Sequence, residues 1–115
     1  FIILIFSSCG GAGYISPGEL QDEMQKNNTV IIDLRNNKKF GDSHIRGAVN
    51  AEYHEKTFLR DIQGIDKKSA VILYCGEGVK SDRAAVIMKK NGFSNIRILE
   101  GGYSRWLNEG FPSDK

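Results

Sequence analysis

The stretch Tyr74-Cys75-Gly76-Glu77-Gly78-Val79-Lys80-Ser81 sets a nucleophile where its charge would be stabilised. A run of apolar residues ends at Cys75 and a helical pattern begins near Ser81, so five residues, two of them glycine, link strand to helix. Glycine tolerates positive φ, which lets a short loop curl until successive backbone N–H groups point inward. Such a nest, with a helix N-terminus behind it, is an anion site. The thiolate is the reactive form of cysteine, and a free thiol with a pKa of about 8.5 is mostly protonated at neutral pH. Inward N–H groups, a helix N-terminus and Lys80 all favour the thiolate at Cys75. The same groups would stabilise an anion formed on its sulfur. A cysteine ending a buried strand is also common as a small hydrophobe; the two glycines and the strand–loop–helix setting favour the reactive reading.

The elements that must hold this loop follow from hydrophobic patterning. Thr29-Val30-Ile31-Ile32-Asp33-Leu34 and Ala70-Val71-Ile72-Leu73-Tyr74 are near-continuous apolar runs. Runs of this type suit strands buried on both faces of a parallel sheet. Ile96-Arg97-Ile98-Leu99 is a weaker third, Ala48-Val49-Asn50 a shorter fourth, and Tyr14-Ile15 a short apolar pair. Ser16-Pro17-Gly18-Glu19 predicts a helix start: Ser16 at the N-cap, Pro17 in the first position and Glu19 completing a capping box. That helix runs to Gln25 or Lys26. Ser81 to Asn91 predicts a helix with an apolar stripe of Ala84, Ala85, Ile87 and Met88, stopped by Gly92. Gly102 to Asn108, with Trp106 and Leu107, predicts a last short helix closed by Gly110. The order β-α-β-β-α-β-α implies an α/β domain with a mostly parallel central sheet and helices on both faces. Active sites of such sheets lie at the carboxyl ends of the strands. Asp33, Arg35, Cys75 and Glu100 all fall at or just past such an end.

The chain has 115 residues, enough for one domain. Sixteen basic residues against fourteen acidic ones give a net charge of +2, and no basic stripe interleaves with aromatics, so a nucleic-acid partner is not indicated. Two cysteines, Cys9 and Cys75, are too few for a disulfide framework or a four-cysteine zinc site. His44 and His54 lack metal-pair spacing. Neither a metal nor a cofactor is expected. Residues 1–13 read differently from the rest. Phe1-Ile2-Ile3-Leu4-Ile5-Phe6 is too short to cross a bilayer, which takes about 20 residues. With Ser7-Ser8-Cys9-Gly10-Gly11-Ala12-Gly13 behind it, the segment resembles the end of a secretory signal and a bacterial lipobox, with Phe6 where Leu is usual. On that reading residues 1–13 are a leader remnant and flexible linker, Cys9 is a lipid anchor, and the domain at 14–115 works in the bacterial cell envelope or periplasm. An edge strand at residues 1–6 with a cytoplasmic protein is the alternative, and a Cys9–Cys75 disulfide is a third.

Further motifs appear in a fixed order. Asp33-Leu34-Arg35 closes an early strand. Phe40-x-x-Ser43-His44-Ile45-x-Gly47-Ala48-x-Asn50 follows, then the Cys75 loop, Ala84-Ala85, Gly92-Phe93, Leu99-x-Gly101-Gly102, Trp106 and Gly110-Phe111-Pro112. Over roughly residues 14–112 this series resembles the single-domain rhodaneses, a sulfurtransferase-type family with a three-layer α/β/α fold. Ser43 stands where that family usually has Gly, and Lys80 where it often has Arg. The resemblance implies that Cys75 carries a transferred sulfur as a persulfide, cradled by the loop Gly76, Glu77, Gly78, Val79, Lys80 and Ser81. Partners would be a small sulfur donor such as thiosulfate and a thiol or cyanide acceptor, or a protein that supplies or receives the sulfur.

Asp33 and Arg35 are expected as a structural ion pair near the loop, and Arg35 could also draw in an anion. His44 is expected to pin its own turn, Glu100 to set the loop before Gly101-Gly102, and Trp106 to lie in the core. Lys80 offers a point charge where Arg would offer a bidentate fork, and Glu77 would repel a dianionic donor unless it points to solvent. These two residues favour a persulfide carrier or interaction module as the second reading. Phosphatase or arsenate reductase chemistry is a third, because cell-cycle phosphatases share the fold. Those enzymes resemble Cys-x5-Arg, whereas this chain has Cys-x4-Lys followed by Ser81.

Overall fold

A computed structural model describes residues 12–26 and 28–115. The Cys9 anchor, the edge strand at residues 1–6 and most of the proposed leader lie outside them. Ala12 and Gly13, expected as linker, belong to the fold instead: Ala12 packs against the core and Gly13 opens the first strand.

In chain order the elements are β1 (Gly13–Ile15), α1 (Pro17–Met24), β2 (Thr29–Asp33), α2 (Asn37–Asp42), β3 (His44–Ile45) and β4 (Val49–Asn50). They continue as α3 (Phe58–Asp61), β5 (Ala70–Tyr74), α4 (Val79–Lys90), β6 (Ile96–Leu99), α5 (Gly102–Asn108) and β7 (Ser113–Asp114). Five strands form a parallel sheet in the order β1-β6-β5-β2-β4, and β3 pairs with β7 in a small antiparallel ribbon. This is the expected α/β architecture.

Side chains alternate across a strand, and the core divides accordingly. Ile32, Val71 and Leu73 face Phe58, Ile62, Ala84, Ala85 and Met88 on the α3 and α4 side. Ile31, Ile72 and Tyr74 face Leu20, Tyr103 and Trp106 on the α1 and α5 side. The ladder sets Ile31 opposite Ile72, Ile32 opposite Leu73 and Asp33 opposite Tyr74, so β2 and β5 end at the same level. Everything that follows them projects to one edge of the sheet.

Local sequence accounts for the helix starts. Ser16 accepts a hydrogen bond from the Glu19 N–H while its own N–H donates to Glu19 Oε1, so the expected capping box is formed. Asn36 caps α2 by accepting from the Lys39 N–H. Helix α4 departs from expectation. It begins at Val79 rather than near Ser81, because Gly78 takes the left-handed conformation (φ 113°) as its N-cap. Val79, Lys80 and Ser81 are therefore first-turn residues of a helix, and only Gly76, Glu77 and Gly78 form the loop. Among the described residues no helix is long and apolar enough to cross a membrane.

Candidate active site

Strand β5 is buried along most of its length and delivers Cys75 to the edge of the sheet, where the residue is 4% exposed and carries a free thiol. Two donors meet its sulfur. The Gly78 N–H lies 3.0 Å from Sγ, and the Ser81 hydroxyl, on a fully buried residue, lies 3.4 Å away. The tight loop makes the first contact possible, since its αL glycine turns the chain back over the sulfur. The second follows from the early start of α4, which brings Ser81 under the nucleophile. First-turn N–H groups of a helix have no intrahelical partners, so the α4 N-terminus adds its positive end behind the loop.

A second helix fixes the loop from the other side. Tyr103 N–H donates to Cys75 O at 2.9 Å and Ser104 N–H to Gly76 O at 3.3 Å. The first turn of α5 thus satisfies its orphan donors on the carbonyls of the Cys75 loop. Gly102 permits that approach. It has φ 59°, and a Cβ there would stand 2.5 Å from Gly76 O and 2.7 Å from Cys75 O.

Beneath the loop lies a closed polar network. Arg35 pairs with the fully buried Asp33, with Nη2–Oδ2 at 2.7 Å, and also donates to Ser43 O at 2.7 Å. Tyr74 donates its hydroxyl to Asp33 Oδ2 at 2.6 Å and accepts from the Ile45 N–H. Burial pushes the Tyr74 phenol far above its ordinary value, and the hydrogen bond to Asp33 pushes it further. Burial alone would pull the Arg35 guanidinium down, but its hydrogen bond with Asp33 and that carboxylate's charge outweigh this and raise it. The guanidinium also sits 4.1 Å from the centre of the Tyr103 ring, a cation–π contact. Asn50 ties off the exit from β2 by donating to Asp33 O and Arg35 O.

Above Cys75 opens a cleft of about 480 Å³, lined also by Arg35, Asn36, Lys39, Glu77, Lys80 and Ser104. A buried thiol, backed by donors and open on one side to cations, is an arrangement for nucleophilic attack with anion stabilisation. Among the described residues no group of His, Cys, Asp and Glu is placed to hold a metal ion.

The sequence matches the rhodanese-like domain family over residues 16–109. The chain belongs to this family. As a rhodanese-like domain it is 29% identical over 92 residues to the thiosulfate sulfurtransferase GlpE of Haemophilus influenzae, covering 80% of this chain and 86% of that protein. It is 32% identical over 93 residues to the tRNA uridine(34) hydroxylase of Bacillus pumilus, covering 77% of this chain but only 29% of that protein's length. In fold it is similar to the rhodanese-like domain of an Anabaena protein, with a TM-score of 0.78 at 19% identity over 88% of this chain and 77% of that one.

The rhodanese-like domain gathers Arg35, Cys75, Gly76, Glu77, Val79 and Lys80 around one cleft, with Gly78 and Ser81 on the sulfur and Asp33 behind Arg35. His44 stands apart. It stacks on Phe40 with ring centres 3.8 Å apart, and its Nδ1 lies 2.8 Å from Phe40 O, to which it donates. Val79 is in α4 rather than in the loop, and its side chain is 69% exposed. The Glu100 N–H donates to Ile15 O while its side chain meets Arg105. Trp106 is fully buried and donates to Pro112 O. Sequence reasoning missed Asn36, Lys39 and Ser104. The signal for Asn36 was present: it closely follows the carboxyl end of β2, where a parallel sheet presents its site.

Proposed function

We propose that this domain is a sulfurtransferase that carries sulfane sulfur as a persulfide on Cys75. The observation that carries the reading is the environment of Cys75 Sγ, which takes the Gly78 N–H and the Ser81 hydroxyl beside a cleft lined by Lys39 and Lys80. The Cys75 thiolate attacks the outer sulfur of a donor such as thiosulfate. The S–S bond breaks and sulfite departs with the bonding pair. A thiol or cyanide acceptor then takes the outer sulfur and the thiolate returns. The family match and the similarity to a thiosulfate sulfurtransferase support this reading. The cradle of two donors, with free first-turn N–H groups beyond it, suits the charge that develops on sulfur.

Glu77 on the cleft wall favours a second reading, in which the persulfide forms but turns over slowly without a protein partner. Phosphatase or arsenate chemistry has less support. The position that would need Arg in a Cys-x5-Arg loop is Ser81, fully buried under the sulfur. A turnover assay with thiosulfate and cyanide separates enzyme from carrier. Steady thiocyanate release that is lost in Cys75→Ser is the expected result. One sulfur released per protein, then arrest, would make the domain a carrier.

A further inference from the structure

The charges around the Cys75 cleft are of two kinds. Arg35 is committed to Asp33 and Ser43 O. Lys39, Lys80 and Glu77 line the same cleft and form no ion pair with any described residue. Lys39 is in the short helix α2, Lys80 is in the first turn of α4, and Glu77 lies in the loop between Cys75 and that helix. The site therefore offers two cationic groups and one anionic group to whatever enters. Thiosulfate, a compact dianion, is attracted by the lysines and opposed by Glu77, and a cleft of about 480 Å³ is much larger than it needs. A molecule with an ammonium and a carboxylate meets all three charges with the correct sign.

We infer that Glu77 is a specificity-determining residue and that the donor suited to this cleft is an amino-acid persulfide, its ammonium toward Glu77 and its carboxylate toward Lys39 or Lys80. The inference rests on the persulfide reading of Cys75 and names the donor class for it. The step balances without any other reagent. The Cys75 thiolate attacks the outer sulfur of R–S–SH, the S–S bond breaks, and R–S⁻ leaves with the bonding pair and takes up a proton. Cys75–S–SH remains, and no net oxidation occurs.

The test is the rate of persulfide loading on Cys75, read by intact mass in the full chain. The main comparison uses cysteine persulfide, the persulfide of 3-mercaptopropionate, which lacks the ammonium, and thiosulfate. The parent is set against Glu77→Gln. The preference for cysteine persulfide over its deaminated analogue is expected to fall by up to about fivefold in Glu77→Gln, the upper end for an exposed charge pair. Using a ratio between variants cancels the different leaving-group strengths of the two thiols. Thiosulfate loading is expected to rise in the same variant. Removing both lysines, Lys39→Gln with Lys80→Gln, gives a second reading: it should slow both carboxylate-bearing persulfides more than the persulfide of cysteamine, a fourth donor that has no carboxylate. A preference unchanged by Glu77→Gln would overturn the inference while leaving the persulfide intact. No added sulfur from any donor would instead overturn the persulfide reading itself.

Discussion

Strands β2 and β5 lie side by side and end level, yet their ends are finished in opposite ways. At the end of β2 the buried charges are paired and hydrogen-bonded. Asp33 takes bonds from Arg35 and Tyr74, Arg35 reaches Ser43 O, and Asn50 closes both backbone carbonyls. At the end of β5 the chain stops on a thiol with two donors aimed at it, and beside it Glu77 and Lys80 form no ion pair among the described residues. The first end is a buried scaffold; the second presents a thiol to the cleft and, on the proposed function, is the reactive end. Buried charge is costly unless it is paired and hydrogen-bonded, so damage to β2 should appear as lost stability. Damage to β5 and its loop should appear as lost chemistry.

The largest effect on stability is expected from Asp33→Asn. It leaves the Arg35 charge buried without its counter-ion and should cost about 3–5 kcal/mol in urea unfolding. The folded fraction should still load sulfur on Cys75. Equal losses of stability and of loading per folded molecule would erase the distinction between the two ends.

Gly102→Ala probes the contact between α5 and the loop. Its Cβ would enter the space of Gly76 O and Cys75 O at a positive φ. A cost of about 2 kcal/mol follows from strain at such a position. Loading should slow by roughly 10- to 100-fold, as expected when a reacting group shifts by about an ångström. A loading rate unchanged from the parent would mean that the loop does not depend on α5.

The smallest effect lies away from both ends, at the ion pair between Glu23 of α1 and Arg97 of β6. The hydrogen bond from Arg97 holds the Glu23 carboxyl below its ordinary value, with burial opposing. A lowered folded-state value means that the pair stabilises the fold above the ordinary carboxylate range. That stabilisation is lost as pH falls through the lowered value. Parent and Arg97→Gln should therefore differ at neutral pH, by about 0.5 kcal/mol for a partly exposed pair. Their stabilities should converge below the carboxylate range. A gap that persisted in acid would assign the effect to packing of the Arg97 side chain instead.

Much of this contrast was legible in the residues. Apolar runs announced β2, β5 and β6, and the capping box announced α1, because these signals are local. The Asp33–Arg35 pair and the Cys75 loop were visible for the same reason. Helix α2 was missed because Asn37–Asp42 buries no residue and so has no apolar stripe to betray it, which also hid Lys39. The β3–β7 ribbon joins residues nearly seventy positions apart through two-residue strands, too short for any periodicity. The start of α4 was placed late because glycine at an N-cap carries no side-chain capping signal, and Gly78 makes no such bond. The docking of Gly102 against Gly76 depends on tertiary approach, which spacing alone does not reveal.

The most direct test of the central claim is intact-mass spectrometry of the reduced protein after exposure to thiosulfate, cysteine persulfide or inorganic polysulfide, beside Cys75→Ser. The account predicts a gain of one sulfur atom in the parent with at least one donor, and none in Cys75→Ser. No gain from any of the three, or a gain that survives in Cys75→Ser, would contradict it.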